Sequence, residues 1–157
     1  MNTMKGMLLA VATCALFSSR ADRPAQATEP SAVPLDEARA DGAILGDWWT
    51  EGREGKIRFV HAEDGTYTGV LVWSKEDKKD VKNKDPRLRS RSLVGVALMW
   101  HLRAAGAEYV DGYVYNPRDG DTYRFKAEVT GKDSLKICGY LGIPLLGQCQ
   151  AWTRAGG

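Results

Sequence analysis

Nucleophilic catalysis needs a hydroxyl or thiol beside a base, with a third group holding that base. The chain has two histidines, His61 and His101, that could serve as the base. Ser90 or Ser92 could meet one of them in space, but no Gly-x-Ser-x-Gly turn marks a nucleophile and no spacing selects a triad. The same histidines lack the close ligand pairs of a structural zinc site. Asp119 and Asp121 form a pair of carboxylates, yet they sit in a turn where Asp bonds to its own backbone. No glycine-rich phosphate loop runs into a helix. The expectation is a protein that is not an enzyme and holds no metal or cofactor.

Binding chemistry has more to work with. Between residues 75 and 91 the chain carries Lys75, Lys78, Lys79, Lys82, Lys84, Arg87, Arg89 and Arg91 against Glu76, Asp77, Asp80 and Asp85, an excess of four positive charges. The lysine-rich part reads as a solvated, flexible loop. Beyond it, Asp85-Pro86 is suited to cap and open a helical turn. Such a turn would point Leu88 inward as a plug and set Arg87, Arg89 and Arg91 around it, where a guanidinium could hold an anionic headgroup in bidentate fashion. Five tryptophans and six tyrosines supply amphipathic surface. In a small barrel many would fill the interior, but Trp73, Tyr113, Tyr115 and Tyr123 are candidates for lining a cavity around a mostly apolar ligand.

Elements that could position these residues emerge from the alternation of apolar runs with turn signals, which argues for an all-β barrel or sandwich. Strands are expected over 46–50, 56–62, 67–74, 93–102, 109–115, 122–129, 134–140 and 147–154. The cleanest alternation lies in Thr122–Val129, with Tyr123, Phe125, Ala127 and Val129 inward and Arg124, Lys126 and Glu128 outward. In the preceding strand, Tyr109, Asp111, Tyr113 and Tyr115 alternate with Val110, Gly112 and Val114, which places several tyrosines and Asp111 on an inner face. With eight strands and tight turns, the economical topology is an up-and-down antiparallel barrel that leaves no edge unpaired; a sandwich is the alternative. A hairpin turning about Ile143-Pro144 would put Cys138 opposite Cys149, leaving open a disulfide or two separate thiols.

The first residues read as an address. Lys5 followed by the apolar run Met7–Phe17 resembles a secretory leader, with cleavage after Ala21 or Ala27, and is too short for a transmembrane helix of about 20 residues. The expected organisation is a signal peptide over 1–27, a flexible tether over 28–43 carrying Pro30 and Pro34, and one folded domain over 44–157. Removing Lys5, Arg20, Arg23 and Asp22 from 22 basic and 20 acidic residues leaves 19 of each. A neutral mature chain gives no charge argument for nucleic acid. Export to the periplasm or beyond would place the chain in a compartment where disulfides persist.

Several motifs point to one family. They are Gly46-Asp47-Trp48, Asn83-x-Asp85-Pro86-x-Leu88-Arg89-x-Arg91-x-Leu93-x-Gly95, Tyr115-Asn116-Pro117-x-Asp119-Gly120-x-x-Tyr123, Gly142-x-Pro144-Leu145-Leu146-Gly147 and Gln150-x-Trp152-x-Arg154. Together they resemble the bacterial exported family called domain of unknown function 2147, over residues 46–154. The chain departs from it at Ser92, where Pro is usual, and at Asn116, where Asp is common. The resemblance implies a lipocalin-like, calycin-type barrel without an established activity. It implies structural roles for Gly46, Trp48, Asp85, Pro86, Trp152 and Arg154, with Arg154 from the last strand packing on Trp48 of the first. The functional expectation is an exported barrel for a small, mainly apolar or amphipathic ligand; the alternative is an envelope interaction module with a filled barrel and an unidentified protein partner.

Overall fold

A computed structural model describes residues 42–140 and 147–156. All of these fall in the compact unit Ala32–Gly157. The expected leader at 1–27, nearly all of the expected tether at 28–43 and the expected turn Gly142-Ile143-Pro144 lie outside the described residues.

Eight strands form the domain: β1 (Gly46–Trp49), β2 (Gly55–His61), β3 (Tyr67–Ser74), β4 (Ala97–Ala105), β5 (Glu108–Asn116), β6 (Asp121–Gly131), β7 (Ser134–Tyr140) and β8 (Gln148–Arg154). Each pairs antiparallel with the next, and β8 returns to β1 through Trp48↔Arg154 and Trp49↔Thr153, closing the barrel. Closure satisfies the strand edges without a partner molecule. Period-two alternation sets the inner face. In β2, Ile57 and Phe59 are buried while Arg58 and Val60 are exposed, and β6 buries Phe125 and Ala127 between exposed or half-exposed neighbours.

The inner face is tightly filled at mid-height. A Cβ on Gly112 would overlap the Phe125 ring and lie 2.8 Å from a Leu102 methyl. A Cβ on Gly69 would lie 3.1 Å from atoms of Ile57, Phe59 and Met99. Glycine at both positions lets a ring of the adjacent strand lie over the backbone, Phe125 over Gly112 and Phe59 over Gly69, and with Trp48, Tyr67, Tyr109, Leu102 and Leu135 buried around them the interior is packed core.

Three expectations change. First, the alternation expected in β5 is broken by an irregularity between Tyr109 and Gly112, where Asp111 takes a positive φ of 61°. Tyr109 is therefore fully buried inside, Gly112 and Val114 share the inner face, and Tyr113 and Asp111 turn outward. Asp111 bonds the exposed Arg103 and Arg124 rather than facing a wet interior. Secondly, β4 begins at Ala97 rather than residue 93, because residues 93–96 form a turn. Its backbone bonds Leu71 at both ends: Leu71 N donates to Val96 O (3.0 Å) and Gly95 N to Leu71 O (2.7 Å).

Thirdly, residues 75–96 form a hydrogen-bonded strap, not a loose lysine loop with a plug behind it. A bridge joins Lys79 to Ser92, and Leu93 N donates to Lys78 O at 3.0 Å. The helical turn is present as a 3-10 turn over Pro86–Leu88, with the Asp85 carboxylate accepting from Arg87 N at 3.0 Å. Leu88 stays half-exposed, and the leucine that enters the core is Leu93, at 3% exposure. Between β7 and β8, Cys138 and Cys149 are direct cross-strand partners and their sulfurs are joined in a disulfide.

Candidate functional site

One end of the barrel is a structural closure. Gly46, with φ of 102°, begins β1, and a Cβ there would lie 3.3 Å from an Arg154 nitrogen. The Arg154 guanidinium sits 4.1 Å from the Trp48 ring centroid and donates to Leu45 O (2.9 Å), Ala43 O (2.8 Å) and Lys132 O (3.1 Å). Trp48 Nε1 donates to Ile44 O at 2.7 Å, and Ile44 N donates to the Tyr109 hydroxyl at 3.1 Å. These polar groups find their partners within the fold, so their chemistry is cohesion. Trp152 is also buried, with its indole N–H on Gln150.

The strap lies at the opposite end, since it leaves from the end of β3 that pairs with Gly55. Its centre is Asp80, a carboxylate with no exposed surface. Oδ1 accepts from the Tyr115 hydroxyl at 2.5 Å. Oδ2 accepts from Asn83 Nδ2 (2.8 Å), Arg91 Nε (3.0 Å) and Arg91 Nη2 (2.8 Å). Burial pushes the Asp80 carboxyl up, but these donors outweigh it and hold the group below the ordinary carboxylate range. Burial and the adjacent carboxylate push the Tyr115 phenol up to about 12. The strap is pinned again where Gly120, with φ of 79°, packs directly under the Lys82 carbonyl, leaving no room for a Cβ. Lys84 pairs with Asp121 beside it. Two of the sequence motifs therefore meet here, the strap from one and the β5–β6 turn from the other.

Between the strap and the outward side of β4 and β5 runs an open groove of about 510 Å³, lined by Arg91, Gly95, Val96, Ala97, Trp100 and Tyr115. Trp100 pairs with Tyr113 across the two strands and the rings stack at 6.2 Å. The exposed Arg124 covers the Tyr113 ring at 5.5 Å. Of the candidate ligand residues, the structure brings Arg91 and Tyr115 to this groove, with Tyr113 behind Trp100. The others lie elsewhere. Arg87 is exposed and paired with Asp85, and Arg89 Nε donates to Asn83 O at 2.8 Å. The Tyr123 hydroxyl donates to Asp119 at 2.8 Å. Trp73 stands on the outer wall, edge-on to Trp49 at 5.3 Å, because an irregularity in the β2–β3 pairing turns it toward Lys56.

Asp80 and the groove wall of Val96, Ala97 and Trp100 were not singled out by sequence. The only signal for Asp80 was an acidic residue between lysines, and its partners Arg91 and Tyr115 lie 11 and 35 residues away. The two departures from the family pattern are accommodated locally. Ser92 Oγ accepts from Val94 N, and Asn116 bonds both Asp119 and Arg118 N. Among the described residues no group of three His, Cys, Asp or Glu side chains could hold a metal, and no helix is long and apolar enough to cross a membrane.

A closed eight-stranded antiparallel barrel, with an arginine of its last strand stacked on the tryptophan of its first, defines a lipocalin-like fold. The chain belongs to the family DUF2147, described as an uncharacterized protein conserved in bacteria, which it matches over residues 46–154. Among solved structures it is similar to protein HP1028 from the human pathogen Helicobacter pylori, described as belonging to the lipocalin family. Identity is 24%, with 72% of this chain and 83% of that chain covered at a TM-score of 0.65. That likeness carries the fold. No curated protein matches the chain.

Proposed function

We propose that the protein is an exported, non-enzymatic binding barrel for a small, mainly apolar molecule, held in the strap groove rather than in a central lumen. The observation that carries this reading is the groove itself. Its volume of about 510 Å³ falls within the roughly 300–1,000 Å³ of small-molecule sites. Its wall of Val96, Ala97, Trp100 and Tyr115 combines apolar surface with a few polar groups, as such sites do. The lipocalin-like fold is consistent with ligand binding, though one fold hosts many functions. The leader expected over 1–27 from its sequence supports export, to the periplasm or outside the cell.

An anionic headgroup has less support than the arginine-rich stretch suggested, because Arg87, Arg89 and Arg91 each carry an acceptor within the strap. A second reading, an envelope interaction module, is favoured by the packed level around Gly69 and Gly112. Native mass spectrometry of protein taken from its own cell envelope separates the two. A reproducible bound small molecule, lost from Trp100→Ala, supports the binding reading. A barrel that arrives empty and takes up no fatty-acid or retinoid-like probe supports the module.

A further inference from the structure

Among the described residues, Arg91 is the only charged one that lines the groove. A free guanidinium there would favour carboxylates and phosphates. This one is not free: Nε and Nη2 both donate to Oδ2 of Asp80, at 3.0 and 2.8 Å, and Asp80 is wholly shielded from solvent behind it. The other oxygen, Oδ1, accepts from Tyr115 Oη, Asn83 Nδ2 is a further donor to Oδ2, and the Asp80 backbone N–H donates to Arg91 O at 3.2 Å. Arg91 and Asp80 therefore face the groove as a neutral pair whose negative member cannot swing away.

We propose that the strap groove selects electrically neutral ligands, and that Asp80, a residue no ligand touches, sets this selectivity by cancelling the charge of Arg91. The proposal rests on the binding reading above and adds the class of ligand: an uncharged body, ring-bearing or aliphatic, lying against Trp100. Its acceptor groups would take the three of the five Arg91 N–H groups that Asp80 does not use. An anionic ligand would have to compete with a buried carboxylate for the same guanidinium, at a like-charge cost. Asp80 is a positioning residue in this arrangement, so the readout is charge preference rather than affinity alone.

Two probes with the same aromatic body test it, neutral N-phenyl-naphthylamine and anionic anilinonaphthalene sulfonate, titrated by fluorescence into the full chain. The wild-type protein is expected to bind the neutral probe at least about tenfold more tightly, the scale of one charge-assisted hydrogen bond. Asp80→Asn frees the Arg91 charge and keeps one acceptor oxygen for Tyr115, so the preference should narrow by about fivefold or more toward the sulfonate. In Asp80→Asn/Arg91→Gln the groove is neutral again and the wild-type ratio should return, an outcome that a damaged strap would not produce. Equal or better sulfonate binding by the wild-type protein would overturn the proposal, and needs no variant to observe. So would an unchanged ratio in Asp80→Asn with its thermal melt intact. Trp100→Ala should weaken both probes alike; if it binds both as before, or if neither probe binds the wild type, the binding reading fails and the selectivity with it.

Discussion

Arg154 contributes a cation–π contact to Trp48 and three hydrogen bonds to carbonyls of two chain segments. Removing it leaves those carbonyls to water and the indole uncovered. Arg154→Ala should therefore lower stability by roughly 2–4 kcal/mol, read from the urea midpoint. Probe binding should persist, because the groove is at the other end of the barrel; lost binding at an unchanged midpoint would contradict that separation of roles. Gly112 makes a complementary case for the interior. A methyl group there collides with Phe125 and presses on Leu102, so Gly112→Ala should cost about 1–3 kcal/mol by overpacking. Adding Phe125→Leu should recover part of that loss. A neutral Gly112→Ala would mean that the interior has free space after all.

At the scale of elements, the strap depends on one ionised carboxylate and one neutral phenol. Asp80 is held below its unfolded value, so its contribution is present above the ordinary carboxylate pKa of about 3.9 and is lost as pH falls through the lower folded value. Tyr115 is raised to about 12, so its contribution is complete below the unfolded value of about 10 and is lost as pH rises through about 12. Hydrogen exchange at Asp80 N and Leu93 N, which bond Arg91 O and Lys78 O, should show most protection between those limits and less on either side. Protection that stays flat well below pH 3.9 would contradict the assignment to Asp80. This element was also the least legible from sequence. β6 could be read directly, since its wet face alternates with its core face without a break. β4 and β5 could not, because His101 and Asp111 adopt positive φ where no glycine announces it, and the irregularities in their pairing with β3 and β6 change the face on which the next residues lie. Asp80 looked like one charge among many, and only tertiary contact buries it.

For the whole molecule, closure of eight short strands places the core inside and leaves the proposed binding groove to the strap and outer wall. The strand count, the closing pair Trp48 and Arg154, and the register that sets Cys138 opposite Cys149 follow from alternation, turn residues and family motifs. Whether the barrel encloses a lumen does not, since it depends on Gly69 and Gly112 letting the Phe59 and Phe125 rings of adjacent strands lie over them. In the proposed reading a ligand is accommodated outside that packed level, which is the central claim. Amide NMR of the full chain titrated with N-phenyl-naphthylamine tests it most directly. The shifts should cluster at Arg91, Gly95, Val96, Ala97, Trp100 and Tyr115 and leave Phe59, Gly112 and Phe125 in place. Shifts centred on that interior set, or none anywhere at saturating probe, would contradict it.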